Sequence, residues 1–427
     1  MRARYRNRIV ATAILLAVVS VSCRTPQPER PRMDDISPPG HEAADNTRID
    51  AVPPVKDPWH GADTRPDAPD EAVSRALIET VLDGMSLRAK IGQRFIGRIP
   101  PGTNAAHLDR IIRTGLPGGF ILYRYNYDSA NEVIQLTDLL TRLSAERNPG
   151  FGLFLTADQE GGRVDAFRFP NTVRFPGALY MGAYDDPLFV RSATYVNLVQ
   201  VRELGLNMNL APVLDLYGTP DRTIIGDRAY GENPESVAEF GRAYLDAARA
   251  ARVIPVAKHF PGHGITRVDS HGWLPVVEAP ESEIRARHLV PFEAAVAHGL
   301  DAIMTAHILY TDIDADFPAT LSDFFMIDLL RGEMGFDGVV MSDGIEMGAI
   351  SRHYSVRETL YRAFSVGVDI ILSIETDFTE MIKIVEELVA EGVLTEDQID
   401  EGTARVLRLK HKYGLLDLDL LVPAEHE

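Results

Sequence analysis

The stretch Val253-Ile-Pro-Val-Ala-Lys-His259 determines the predicted fold of this 427-residue chain. Its first five residues form a continuous apolar run, which is typical of a parallel strand buried on both faces. The two ionisable residues that follow would be delivered to the carboxyl end of that strand. In parallel α/β folds, functional groups collect at this end of the sheet.

Apolar runs of strand length recur on both sides of this stretch. Amphipathic segments of helix length, such as Ser282–His298 and Thr379–Glu391, separate them. Strand–helix alternation implies a parallel sheet. Eight such units in about 350 residues predict an α/β chain folded as a (β/α)8 TIM-type barrel, with a doubly wound open sheet as the alternative. The eight predicted strands are Gln93–Ile99, Gly119–Tyr123, Gly152–Ala157, Asn207–Leu214, Val253–Ala257, Asp301–Thr305, Gly338–Met341 and Asp369–Ser373.

Ionisable residues follow five of the predicted strands. In a barrel enzyme these strand ends face the active site, so the sequence predicts one ring of ionisable groups over a single mouth. The ring comprises Asp158 and Glu160 after the third strand, Asp215 after the fourth, Lys258 and His259 after the fifth, His307 after the sixth and Asp343 after the seventh.

The composition is that of a folded globular protein, with 45% hydrophobic and 25% charged residues. The formal net charge is −19, which argues against a nucleic-acid partner because phosphate-backbone binding needs a basic face. The single cysteine excludes a disulfide scaffold and a thiolate zinc cage. No cofactor is predicted.

The N-terminus has the pattern of a secretory signal peptide over residues 1–22. Arg2, Arg4, Arg6 and Arg8 precede an uncharged run from Ile9 to Ser22 that is short for a membrane span. With Cys23 directly after it, the segment resembles a bacterial lipoprotein signal. We therefore predict lipidation of Cys23 and a cell-envelope protein anchored to a membrane; an ordinary secreted protein with a chance cysteine is the alternative.

Residues 23–72 are predicted to be a disordered, Pro-rich tether. Ten prolines lie between residues 24 and 72, without a sustained apolar period. Such a stretch cannot bury enough apolar surface to offset the entropy of ordering it. We expect it to hold the folded part away from a membrane surface.

The most informative motif is Lys258-His-Phe-Pro-Gly-His-Gly264, followed by Asp269-Ser-His271. His259 and His263 have a spacing that binds metal on a helix, but the intervening Pro-Gly disfavours a helix, so no metal site is predicted. A carboxylate at 269 beside the imidazole of His271 would make a proton shuttle. The alternative is a hydrogen-bonded loop pair without chemistry.

Two further motifs bring polar groups to the same mouth. Asp343 ends a buried strand and would be a nucleophile, a metal ligand or a helix N-cap. Asp158-Gln-Glu-Gly-Gly-Arg163 and Gly226-Asp-Arg228 place acids and arginines on Gly-containing loops. Fixed polar groups of this kind suit a ligand with many hydroxyl groups, and a salt-bridged turn is the alternative.

Together these motifs resemble glycoside hydrolase family 3, in particular its bacterial β-N-acetylglucosaminidases. The likeness covers nearly all of residues 75–415 and places a family 3 barrel at 73–415, with a C-terminal tail at 416–427. The Lys258–His271 block is specific to the hexosaminidase branch. The other matching segments are Met85–Gln93, Asp158–Val164, Ala211–Asp215, Gly226–Arg228, Pro318–Ser322, Ser342–Asp343 and Met347–Ala349.

The resemblance implies a retaining exo-β-N-acetylglucosaminidase that releases terminal N-acetylglucosamine from glycosides, with peptidoglycan fragments as one candidate source. It assigns Asp343 as the nucleophile, His271 as the general acid/base and Asp269 as its partner. It also implies that the residues binding the sugar in the −1 subsite are Asp158, Arg228, Lys258 and His259.

Some competing roles remain open. Glu160 and Glu346 are the other acid candidates; Glu160 is interpreted as paired with an arginine, and Glu346 as an early-helix charge. Trp273 would stack on a sugar or fill a loop core. The rival functions are a β-glucosidase or other exo-glycosidase of the same family, a glycoside phosphorylase, a metal-dependent hydrolase, and a non-catalytic sugar-binding lipoprotein.

Overall fold

The central element of the computed structural model is a parallel sheet of eight strands. The structure describes residues 71–170, 172–217, 224–374 and 378–422; the predicted signal peptide, Cys23 and nearly all of the predicted tether lie outside them. The strands are β1 Phe95–Arg98, β2 Gly119–Ile121, β3 Phe154–Ala157, β4 Met208–Asn209, β5 Ile254–Phe260, β6 Ala302–Thr305, β7 Val339–Ser342 and β8 Ile371–Ser373.

The strand order shows a barrel. Each strand from β1 to β6 pairs in parallel with the next one in the chain, and β8 pairs with β1. A single parallel bridge between Met341 and Ile370 connects β7 to the residue before β8. The sheet is therefore nearly closed, which confirms the predicted (β/α)8 barrel and excludes the open sheet.

Helices follow the strands and cover the outside of the barrel. Two segments, Ile284–His288 and Phe324–Glu333, are π-helical. The α-helices are α1 Glu71–Gly84, α2 Leu87–Gln93, α3 Ala105–Gly115, α4 Ala130–Arg147, α5 Ala178–Ala183, α6 Pro187–Glu203, α7 Pro234–Ala251, α8 Glu281–Glu283, α9 Val290–Ala297, α10 Gly348–Ser351, α11 Val356–Ser365, α12 Thr379–Ala390, α13 Glu396–Lys412 and α14 Leu418–Leu421.

Each strand contributes to two cores because successive side chains face opposite sides of a sheet. Ile96, Ile121 and Phe154 belong to the cluster inside the barrel. Their neighbours, such as Phe95 and Phe120, belong to the cluster between sheet and helices. Continuous burial on both faces explains why these strands lack an alternating hydrophobic pattern.

The amino-terminal end of the barrel is closed by contacts within the fold. Lys410 of α13 is fully buried there, and its Nζ donates to Gln93 Oε1 at 2.5 Å and to the Gly152 carbonyl at 2.6 Å. Burial lowers the pKa of Lys410 to about 7. This end is built for stability, so the carboxyl-terminal end is the one available for a site.

The bounds of the observed strands differ from the predicted ones by one or more residues, and three differences affect the description of the fold. β5 continues through Lys258 and His259 to Phe260. β4 has only two residues, and its pairing with β5 resumes beyond Pro212 as a single parallel bridge between Val213 and Lys258. Residues 416–422 continue the folded domain beyond the predicted boundary at 415, because Leu416 and Leu418 are buried against Ile78 of α1.

Candidate active site

The predicted ring of ionisable groups lies at the carboxyl-terminal end of the barrel. Asp158 follows β3, Lys258 and His259 occupy the end of β5, His307 follows β6 and Asp343 follows β7. Arg228 reaches the same end from the short 3-10 helix Gly226–Arg228. The structure therefore assembles groups that are up to 185 residues apart in the chain, from Asp158 to Asp343.

Four of these side chains form a charged cluster, comprising Asp158, Glu160, Arg228 and Lys258. Lys258 Nζ donates to Asp158 Oδ1 at 2.6 Å and lies 2.8 Å from Glu160 Oε1. Arg228 binds both carboxylate oxygens of Glu160, at 2.7 and 2.8 Å. The side chain of Glu160 is 6% exposed and that of Asp158 is 35% exposed. Asp158 is thus the carboxylate that a ligand can reach.

Glu160 holds the two cations in place. Burial alone would raise the pKa of Glu160, but Lys258 and Arg228 outweigh burial and lower that pKa to about 2. The carboxylate is therefore ionised at neutral pH and already forms ion pairs with both cations. This pairing agrees with the structural role expected for Glu160 and leaves it poorly suited to donate a proton.

Asp215 is the residue of this site whose contacts the sequence did not reveal. Its buried carboxylate accepts a hydrogen bond from His259 Nδ1 at 2.6 Å, and it also accepts the backbone N–H groups of His259 and His263. Burial raises the pKa of Asp215, but His259 and His263 outweigh burial and lower it. The ionised carboxylate fixes the proton of His259 on Nδ1 and points Nε2 away from Asp215.

Asp343 is held as an ionised carboxylate after β7. The Gly344 N–H donates to its Oδ1 at 2.8 Å. Burial raises the pKa of Asp343, but His307, His259, this N–H and Lys258 together lower it. Buried His307 donates from Nε2 to the Gly344 carbonyl at 3.1 Å, which fixes the backbone beside Asp343.

Asp269 and His271 lie together on an exposed turn. His271 Nδ1 donates to Asp269 Oδ1 at 2.8 Å, and the His271 backbone N–H donates to the same oxygen at 2.9 Å. The two side chains are 57% and 78% exposed. Burial raises the pKa of Asp269, but the two hydrogen bonds from His271 together outweigh burial and lower the pKa. The arrangement leaves Nε2 of His271 as the outward ring nitrogen.

Two other predicted residues have different surroundings from those expected. Glu346 is not in an early helical turn, because α10 begins at Gly348; its carboxylate instead accepts hydrogen bonds from Ser373 Oγ and the Ile374 N–H. Trp273 does not fill a loop core, since it is 64% exposed and lies under the guanidinium of Arg352, 4.7 Å from the ring centroid.

His259 and His263 pack edge to face rather than aiming at one point. His263 instead contacts Thr266 Oγ1 through Nδ1 and Ser270 Oγ through Nε2. Within the described ranges, no group of three or more His, Cys, Asp or Glu side chains is arranged to hold a metal ion. Across the same residues, no helix combines the length and the apolar character needed to span a membrane.

The fold and these contacts define a barrel with acids, cations and imidazoles gathered at its carboxyl-terminal mouth, which is the arrangement of (β/α)8 enzymes. Residues 86–409 match the protein family described as "Glycosyl hydrolase family 3 N terminal domain". The chain belongs to this family.

Individual relatives agree with this membership. Beta-hexosaminidase A of Pseudoalteromonas piscicida is 33% identical over 319 residues, which are 69% of this chain and 53% of the relative. The beta-hexosaminidase of Nitrosospira multiformis is 33% identical over 318 residues, covering 73% of this chain and 86% of the relative. The chain thus spans about half the length of the first relative and most of the second.

Solved structures give the same result. A glycoside hydrolase family 3 beta-N-acetylglucosaminidase from Paenibacillus sp. matches with a TM-score of 0.74 and 34% identity over 78% of this chain and 63% of that chain. A beta-N-acetylhexosaminidase from Beutenbergia cavernae matches with a TM-score of 0.70 and 28% identity over 77% of this chain and 99% of that chain.

Proposed function

We propose that this protein is a retaining exo-β-N-acetylglucosaminidase that releases terminal N-acetylglucosamine from glycosides. The observation that carries the proposal is the backbone hydrogen bond from Gly348 N–H to the His271 carbonyl, at 3.0 Å. It joins the turn that bears a carboxylate-paired imidazole, His271, to the segment that follows an ionised strand-end carboxylate, Asp343. The printed names of the relatives and structural neighbours support the choice of sugar.

The first half-reaction forms a glycosyl-enzyme. An Asp343 carboxylate oxygen bonds to the anomeric carbon while the bond from that carbon to the leaving oxygen breaks. His271 gives its Nε2 proton to the leaving oxygen, and Asp269 stabilises the imidazolium before that transfer through Nδ1. The aglycone then departs as an alcohol.

The second half-reaction restores the enzyme. Neutral His271 takes a proton from water as the water oxygen bonds to the anomeric carbon, and the ester bond to Asp343 breaks. Two displacements at one carbon retain its configuration. A neutral imidazole at this stage does not repel an anionic group, which suits peptidoglycan fragments as substrates.

The remaining predicted residues would bind the sugar. Asp158 accepts hydrogen bonds from ring hydroxyl groups, since its carboxylate is the exposed one of the charged cluster. Lys258 and His259 donate from the adjoining strand end, and Arg228 is held near them by Glu160. The positive charge of Lys258 also favours the ionised form of Asp343.

The cellular location is proposed from the sequence alone. We propose that Cys23 is acylated and that residues 23–72 tether the barrel to a membrane of the cell envelope. Labelling cells with a radioactive or alkyne fatty acid tests this. Label on the wild-type protein and none on Cys23→Ser is expected; an unlabelled, freely secreted wild type would contradict it.

The proposed activity is tested with matched aryl substrates. The protein should hydrolyse 4-nitrophenyl β-N-acetylglucosaminide at a much higher kcat/KM than the matching β-glucoside, with initial release of the β-anomer. A preference for the glucoside would favour the β-glucosidase alternative. A product that requires inorganic phosphate would favour the phosphorylase, and saturable binding without turnover would show a sugar-binding protein.

The acid/base assignment has a separate test. In His271→Ala, glycosides with poor leaving groups should lose roughly 10²–10⁴-fold in kcat/KM, because they need a proton on the leaving oxygen. Activated aryl glycosides should lose much less. An equal loss for both kinds of substrate would show that His271 is not the acid.

A further inference from the structure

We infer that Gly348 is a positioning residue that docks the His271 turn onto the segment carrying Asp343. This inference rests on the proposed role of His271 as acid/base and extends it to the contact that places it. The Gly348 N–H donates to the His271 carbonyl at 3.0 Å, and the Ala349 N–H donates to the Ser270 carbonyl at 3.1 Å. We call these two hydrogen bonds the dock.

The dock joins the two halves of the proposed chemistry through a short path. Gly348 lies five residues after Asp343, at the first residue of α10. The turn from Asp269 to Trp273 lies in the loop that follows β5. A contact between the two fixes the acid/base against the element that delivers the nucleophile.

Sterics explain why this position carries glycine. A Cβ built on Gly348 would lie 2.5 Å from the Gly272 carbonyl oxygen, 2.8 Å from its carbon and 3.0 Å from the His271 oxygen. All three are backbone atoms, so no side-chain rotation relieves the overlap. Close approach of the turn accounts for glycine at this position.

The side chains of the turn hold it less firmly than its backbone. Those of Asp269 and His271 are more than half exposed and bond to each other. Buried Ser270 makes a 3.2 Å contact with His263 Nε2, and Trp273 lies under Arg352 at the rim. A general acid must come within about 2.6–3.2 Å of the oxygen that it protonates. The dock is therefore the contact that ties the exposed turn to the catalytic end of β7.

Three variants test the inference. Gly348→Ala pushes the turn outward. Gly272→Ala is the matched control, because it adds the same methyl group in the turn itself, where the nearest atom is 3.9 Å away. His271→Ala defines the full effect of losing the acid. Each is assayed on an activated aryl N-acetylglucosaminide and on the methyl N-acetylglucosaminide, with thermal unfolding measured in parallel.

The expected result is selective. Gly348→Ala should lower kcat/KM for the methyl glycoside by about 10- to 100-fold and for the aryl glycoside by about threefold or less, since only the first needs the proton. Gly272→Ala should behave as wild type. Equal losses on both substrates, or no loss on either, would overturn the inference. A His271→Ala variant without leaving-group dependence would instead overturn the acid assignment.

A second variant covers the case in which Gly348→Ala does not fold. Arg352→Ala leaves the dock residues intact but removes the cation–π contact that supports Trp273 at the exposed rim. It should lower kcat/KM for the methyl glycoside by about two- to fivefold and leave that for the aryl glycoside nearly unchanged. A loss that is equal on both substrates would contradict the proposed coupling.

Discussion

The two sides of the barrel mouth are built in opposite ways. On one side, Lys258, Glu160 and Asp215 are almost fully buried, and each bonds to at least two partners within the protein. On the other side, Asp269 and His271 are largely exposed and bond to each other. The first side is preorganised before any substrate arrives, whereas the second depends on backbone contacts for its position.

The difference follows from what each side has to do in the proposed reaction. A site that binds the same sugar in every turnover benefits from fixed charges, which need no reorganisation. A proton shuttle must approach the leaving oxygen and then admit water to the same place. Exposure of His271 on a turn suits that alternation, and the dock at Gly348 limits how far the turn moves.

The largest effect is expected from the group that connects the two sides. Asp343→Asn removes the proposed nucleophile while keeping the size of the side chain, so kcat/KM should fall by roughly 10⁴-fold or more. Thermal unfolding should change little, because the amide oxygen of the new side chain can still accept the Gly344 N–H. Activity within tenfold of wild type on the aryl substrate would assign the nucleophile elsewhere.

Glu160→Gln breaks the buried side of the comparison. It leaves Arg228 and Lys258 without their shared carboxylate, and loss of one partner of a buried ion pair is strongly destabilising. The free energy of unfolding of this variant, measured by urea titration at pH 7, should be lower than that of wild type by about 3 kcal/mol. The control is Asp246→Asn, which removes the charge of a partly exposed pair with Arg249. It should change the free energy of unfolding by less than about 1 kcal/mol.

The difference in free energy of unfolding between wild type and Glu160→Gln should depend on pH. The pKa of Glu160 is lowered to about 2 in the folded protein, so its contribution to the free energy of unfolding is fully present above its ordinary pKa of 4.5. It is lost as pH falls from about 4.5 towards 2. The difference between wild type and Glu160→Gln should be constant above about pH 5 and shrink below it. A difference that already shrinks as the pH is lowered from about 8 to 5 would contradict the ion-pair account.

Asp215→Asn tests whether the buried side acts through the orientation of His259. An Asn amide presents an N–H where the imidazole also presents one, so the ring must turn or move its proton to Nε2. We expect kcat/KM to fall by roughly 10- to 100-fold on aryl and methyl glycosides alike, since both use the same −1 sugar contacts. Thr266→Val, which removes the hydroxyl contact to neighbouring His263, serves as the control for general loosening of this loop.

The smallest effect should come from the exposed side. Asp269→Asn keeps an acceptor for His271 Nδ1 but removes the charge that stabilises the imidazolium. We expect about a tenfold loss on the methyl glycoside and little change in thermal unfolding, since both side chains are solvated. A large drop in the unfolding temperature would show that the pair is structural.

The sequence predicted the barrel because continuous apolar runs and the charges that follow them are local patterns, which can be recognised without knowing any long-range contact. It also predicted the placement of Asp158, Lys258 and Asp343 at one mouth, which depends only on strand order. It did not predict the contacts of Asp215, because the backbone N–H groups that it accepts lie 44 and 48 residues further along the chain. The sequence did not predict the dock at Gly348 for the same reason. A close approach of two backbones that are distant in the chain is marked in the sequence only by a glycine.

The most direct test of the central claim is to trap the glycosyl-enzyme. Wild-type protein is incubated with a fluorinated, activated N-acetylglucosaminide that slows its own release, then digested and mapped by mass spectrometry. The account predicts one sugar on the peptide containing Asp343, and no label on Asp343→Asn. A sugar attached through Asp158 or Glu160, or turnover that inverts the anomeric configuration without any trapped ester, would contradict it.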